Sequence, residues 1–303
     1  MRLYALSIFA IGLLAGATTA QAGNESWVSG TGTDSGNCPR TAPCRTFQFA
    51  HDQTSNNGAI NVLTSGNFGP LTITKPISIV AEGVEAVINS ALPSSANDAA
   101  IIISAGGGAI VSLRGLTIDM RGTDNEGISF ISGKALHVQN SVIRKALLGI
   151  RFAPTSGTSE LHVADTAVES GFNGTFVFTT GSAAVTAAFD RLRVENGSQN
   201  GMIFTGNGLA ITATLRDSVV AGNGAGVIAD ASGSGAVNLM IERTALVNNG
   251  TGILASPATT VRIGTSTLTG NNIAFNGNTV LSYGTNKIDG NSSEATPTLI
   301  PMK

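Results

Sequence analysis

A phrase of about 25 residues recurs along this chain, and that recurrence constrains its fold more than any other feature. Leu161–Phe178, Phe189–Phe204, Leu215–Ala229 and Ile241–Ala255 share one template: an apolar pair, a polar or charged residue, Ser/Thr/Leu-x-Val/Leu, a polar turn, then Gly-Ile-x-Phe or a variant. The apolar residue that opens the last element recurs at Ile128, Ile150, Phe176, Met202, Val227, Ile253 and Ile273, in steps of 22, 26, 26, 25, 26 and 20 residues. Steps of this size mark stacked-repeat architectures.

Strands of three to five residues separated by two-to-five-residue polar turns are too short for a packed sandwich. About 25 residues hold three such strands with their bends, which is one turn of a parallel β-helix. Equivalent residues of successive coils then stack at the inter-strand spacing of ~4.8 Å. Leucine-rich repeats would need a different core phrase and a helical half, and both are missing. Parallel crossovers are overwhelmingly right-handed. The sequence therefore predicts an all-β, single-stranded right-handed parallel β-helix of about nine or ten coils. Its expected inward columns are the opening residues above and, two positions on, Phe130, Phe152, Phe178 and Phe204.

The ends divide the chain further. Met1-Arg2, an apolar run over Leu3–Ala17 and the small-x-small Ala20-Gln21-Ala22 read as a signal peptide over residues 1–22. The apolar run is short of the ~20 residues a membrane span needs. Residues 23–58 form a leader and cap, 59–290 the solenoid and 291–303 a tail, with Ala91–Asp98 as an inserted loop. Arg45–Thr54 is the one plausible helix outside the signal, placed to cover the exposed end of the stack as a solenoid requires. In an exported chain Cys38 and Cys44, the only two cysteines, are expected to pair. The loop closed is short, so the chain-entropy gain is only roughly 2 kcal/mol.

Composition narrows the partners. Charged residues are 12% and the formal net charge is −2. A nucleic-acid partner needs a basic field, and this chain has none.

The leader Trp27-Val-Ser-Gly-Thr-Gly-Thr-Asp-Ser-Gly followed by Ala42-Pro-Cys-Arg-Thr-Phe-Gln-Phe-Ala resembles the N-terminal signature of secreted bacterial right-handed parallel β-helix proteins of the pectate-lyase-like superfamily. There the segment makes a first strand and a capping helix. The Leu-x-Val-x-Asp/Asn-Ser/Thr-x-Val…Gly-Ile-x-Phe coils resemble that superfamily's repeat, and the resemblance spans about Trp27 to Phe275. It implies export to the periplasm or beyond, and contact with a polysaccharide or cell-surface glycan. It also admits a polysaccharide lyase or glycoside hydrolase acting on (poly)uronates, with calcium only in the lyase case.

Aligning coils by their apolar columns exposes the outward ones. Asn140, Asp165, Arg191, Asp217 and Arg243 form one; Gln139, Ala164, Asp190, Arg216 and Glu242 lie beside it. Signs alternate up each column, as in a ladder that neutralises itself. A third column, Asp119, Arg144, Glu169 and Glu195, breaks the alternation. Adjacent Glu169 and Glu195, with Arg144 and Arg193 nearby, form the arrangement that an acid/base pair exploits, because two close carboxylates push one pKa up. The same residues also serve as a solvated face. His137 and His162 share a further column and could bind a metal or move protons, although Ala188 and Thr214 supply no third ligand. Two functions stay open: a glycan-binding scaffold or adhesin, and an enzyme working in a groove along the helix.

Overall fold

The computed structural model describes residues 23–89, 99–121, 125–231, 233, 235–277 and 280–302. The expected signal peptide and the inserted loop at Ala91–Asp98 lie outside the described residues.

Each regular coil lays one strand in each of three parallel sheets of 12, 10 and 9 strands. One coil runs Ser156–Ala164 in the first sheet, Ala167–Glu169 in the second and Asn173–Thr180 in the third. The chain is an all-β, right-handed parallel β-helix with about seven regular turns, slightly fewer than the nine or ten expected. Looser strand sets flank those turns, where the repeat also fades in the sequence.

The core is three inward ranks of apolar side chains, one per sheet. Val138, Val163, Phe189, Leu215 and Ile241 come from the first, and Ile143, Val168, Val194, Val220 and Leu246 from the second. The third rank corrects the sequence expectation. It runs Ile128, Ile150, Thr175, Met202, Val227, Ile253, Phe275, so Phe176 is not a member, and Ile273 pairs with Thr251 instead. A column of glycines sets this register. A Cβ on Gly149 would sit 2.6 Å from the Gly174 carbonyl oxygen, and one on Gly174 would sit 2.4 Å from that of Gly201. With Gly174 pinned between its neighbours, Thr175 and Val177 turn inward, and Phe176 and Phe178 project from the outer face.

The turn from first to second sheet holds a residue in the left-handed region in coil after coil: Asn140, Asp165, Arg191, Asp217 and Arg243, with φ between 47° and 51°. Such a conformation is disfavoured for residues with a Cβ. It persists because the same residue's N–H continues the inter-coil ladder, as from Asp165 to the Asp190 carbonyl (3.1 Å) and from Arg191 to that of Arg216 (3.1 Å).

The turn from second to third sheet holds a buried asparagine ladder. Asn223 donates its Nδ2 to Asn249 Oδ1 (3.0 Å), Asn249 to Asn271 (3.1 Å) and Asn271 to Asn291 (2.9 Å). Each Oδ1 also accepts the backbone N–H of the coil before, and each Nδ2 reaches a backbone carbonyl. Turn polar groups that would otherwise be orphaned are thereby satisfied.

Both ends are covered. The first strand, Gly23–Val28, pairs with Thr54–Val62. Its other edge is taken by the loop that the Cys38–Cys44 disulfide closes, where Trp27 N–H donates to the Cys38 carbonyl and Cys44 N–H to that of Trp27. The helix α1, Phe47–Gln53, starts at Thr46, whose hydroxyl accepts the Phe49 N–H, and buries Phe47, Ala50 and His51 over the open core. At the far end, part of the segment read as a tail adds a strand: Thr298–Leu299 pairs with Val280–Ser282. Among the described residues no helix is long and apolar enough to cross a membrane.

Candidate functional site

The outward rank at the centre of the first sheet runs His137, His162, Ala188, Thr214, Met240, Arg262. Strict alternation puts it there, since each of these residues lies between inward apolar neighbours; Ile211–Arg216 alternates buried and exposed throughout. Small residues leave the rank recessed. A hollow of about 310 Å³ lies over Ala188, Thr214 and Met240, walled by Asp190, Arg216 and Glu242. A cleft of about 610 Å³ follows, lined by Met240, Glu242, Arg262, Gly264, Tyr283 and Met302. Met240 and Glu242 line both, so the two form one trough up the solenoid. Its far wall exists because the Thr298–Leu299 strand carries Ile300 to Met302 back alongside the last coils.

The charges beside the trough largely cancel. Arg243 clasps Asp217 through two bonds of 2.7 and 2.9 Å and also reaches Glu242 at 2.8 Å. Arg191 bonds Asp165 and Asp190, and Arg216 reaches Asp190 at 3.1 Å. The hydrogen bond from Arg191 holds Asp165 below the usual carboxylate range, and that from Arg243 does the same for Asp217. The self-neutralising ladder read from the sequence is thus present. Arg262 differs, because it makes no ion pair with any described residue. It lines the cleft together with Tyr283, and a guanidinium can take a carboxylate or a pair of hydroxyls in bidentate fashion. Tyr283 and Met240 add apolar surface to the trough, and Glu242 and Asp190 add carboxylates.

His137 and His162 are stacked neighbours on the same rank, with ring centroids 4.9 Å apart and edge to face. Burial, and then the neighbouring His162, lower the His137 pKa from its ordinary value against the pull of Glu160. Glu160 Oε2 stands 3.6 Å from His162 Nε2. Among the described residues no group of three or more His, Cys, Asp and Glu side chains is arranged to hold a metal ion.

The four acid/base candidates meet on a different face. Arg144, Glu169 and Glu195 are successive register partners in the second sheet, with Asp119 below them. Arg144 Nε bonds Asp119 at 3.0 Å rather than Glu169. Arg193 Nη2 bonds both oxygens of Glu195 at 2.8 and 2.9 Å, and that contact raises the Arg193 pKa above its ordinary value. Glu169 projects into solvent between these two clasped pairs. Sequence reasoning therefore assembled the column correctly. It missed the trough because Tyr283 and Met302, which join Arg262 in lining the cleft, lie past the point where the repeat fades. The alternation of charge was the usable signal: Arg262 sits one coil above Met240, outside both ladders.

No protein-family model matches the sequence, and no curated protein does. Among solved structures, a rhamnogalacturonan lyase aligns with a TM-score of 0.64 at 11% identity, over 93% of this chain and 85% of its own. Pectate lyase Pel9A aligns with a TM-score of 0.54 at 14% identity, over 92% and 78%. The fold is a pectate-lyase-like right-handed β-helix. At these identities the likeness fixes the fold and assigns no residue of this chain a role.

Proposed function

We propose that this protein is exported and binds an extended polysaccharide or cell-surface glycan in the trough on the outer face of its first sheet. The observation that carries the reading is the cleft that Arg262, without an ion pair among the described residues, lines together with Tyr283 at the end of a rank of mostly small or uncharged side chains. Export accords with the Cys38–Cys44 disulfide, a bond that oxidising compartments preserve. The pairing of every nearby Asp and Glu with an arginine leaves Arg262 to select acidic sugars over neutral ones.

Isothermal titration of the mature chain with acidic and neutral oligosaccharides, with and without calcium, tests this. Saturable binding of an acidic member, weakened about tenfold in Arg262→Ala and in Tyr283→Ala, is expected for a charge-assisted contact. Unchanged affinity in both variants would refute the site.

A second reading, cleavage of a (poly)uronate, is favoured by the register pairing of Glu169 with Glu195. It requires new unsaturated or reducing ends that vanish in Glu169→Gln or Glu195→Gln. Glycan binding in the trough requires those two variants to bind normally.

A further inference from the structure

The outer face of the third sheet carries an apolar stripe. Arg151, Phe176, Ile203, Ile228, Leu254 and Asn276 are successive register partners there. Four adjacent coils thus present a large apolar side chain outward, and Leu254 is 36% exposed. Phe178 widens the stripe, its ring lying 5.4 Å from that of Phe176 and within 16° of parallel. Two positions along the strands from the stripe, Phe178, Thr205 and Asp230 form a second outward column. A contiguous apolar centre with a polar rim is the anatomy of a protein interface.

We propose that this face is the contact between two copies of the chain, packed antiparallel. Aliphatic Ile203, Ile228 and Leu254 offer neither an aromatic plane nor a hydrogen-bonding group to a sugar, which favours a protein partner. The face is a run of parallel strands in register, and a second copy presents the same run to pack against it. A two-fold axis running along the strands between Ile203 and Ile228 sets Ile203 against the partner's Ile228 and Phe176 against the partner's Leu254. The same operation sets Arg151 opposite the partner's Asn276 and Thr205 opposite the partner's Asp230, so no like charges meet. The other face-to-face two-fold, along the helix axis, would oppose Arg151 to its own copy and is disfavoured. Five strand steps of ~4.8 Å and strands ~20 Å long give about 500 Å² per copy. The total, about 1,000 Å², lies at the lower bound for a specific interface. Association should therefore be reversible and concentration-dependent.

Sedimentation velocity of the mature chain from about 1 to 100 μM tests the proposal, in the concentration range where a marginal interface of this area associates. A reversible monomer–dimer equilibrium is expected, with Ile203→Asp and Ile228→Asp raising the dissociation constant about tenfold or more. Because any outward substitution could perturb the coil, the exposed Asn276 supplies a second pair of variants. Asn276→Asp, facing the partner's Arg151, should tighten the dimer a few-fold, and Asn276→Arg should weaken it. A monomer throughout the range, or a dimer indifferent to all four substitutions, would overturn the proposal. So would a monomer that loses oligosaccharide affinity in Ile203→Asp while Arg262→Ala binds normally, a result that assigns this face to glycan.

Discussion

At the scale of single residues, side chains that repeat at one turn do more for this fold than side chains that are merely large. Asn249 accepts from the Asn223 backbone and side chain, and donates to the Val220 carbonyl and to Asn271. Asn249→Ala is expected to leave several of these buried groups unpaired and to cost about 2–5 kcal/mol, since each orphaned group costs about 1–3 kcal/mol. Thermal and urea unfolding would show it, and Asn291→Ala at the more exposed end of the ladder should cost less. The ladder was not legible beforehand. Asn in a polar turn reads as solvated, and only the coil geometry reveals four of them in line. The glycine column is legible in the sequence as Gly127, Gly149, Gly174, Gly201 and Gly226. The recurrence of the repeat puts Phe176 inside, whereas Gly174 one coil above Gly149 sets Thr175 inward. Size is a weak guide to facing when a close backbone approach fixes the register.

At the scale of elements, the N-terminal cap carries a buried titratable group. His51 in α1 is buried; its Nδ1 lies 2.9 Å from Asp52 Oδ1, and its Nε2 accepts the Thr74 N–H at 3.3 Å. Burial, helped by nearby Lys75 and opposed by Asp52, pushes its pKa below the ordinary 6.5. A lowered histidine pKa means that the unfolded chain takes up a proton before the folded one does. The cap's contribution is thus complete above about pH 6.5 and falls as the pH drops from there toward the folded-state pKa. Calorimetric unfolding should show a lower transition at pH 5 than at pH 7.5, with the difference reduced in His51→Gln. An equal acid shift in that variant would place the proton elsewhere. The helix and its position over the open core were readable from Arg45–Thr54, because an amphipathic turn after Pro43 had no other place to bury Phe47. The covering of the first strand's free edge by the disulfide loop was not readable, since it rests on backbone bonds that no side-chain pattern encodes.

At the scale of the whole molecule, three outer faces carry three different chemistries on one repeating core. The second sheet holds clasped acid–arginine pairs around Glu169, and the third an apolar stripe. The first has a trough ending in a cleft lined by Arg262, a cation with no ion-pair partner among the described residues. The repeat made the architecture and the charge columns legible from sequence, because period and alternation are local properties. The cleft was not legible, because it forms where the period breaks and a returning segment closes over the last coils. The central claim is that this trough is where ligand sits, and a hydrogen-exchange footprint with a bound acidic oligosaccharide tests it most directly. Ligand should slow exchange in the segments containing Thr214, Met240, Arg262 and Tyr283 and leave those containing Arg144, Glu169 and Glu195 unchanged. Protection centred on the second sheet, with the first-sheet segments unaltered, would contradict it.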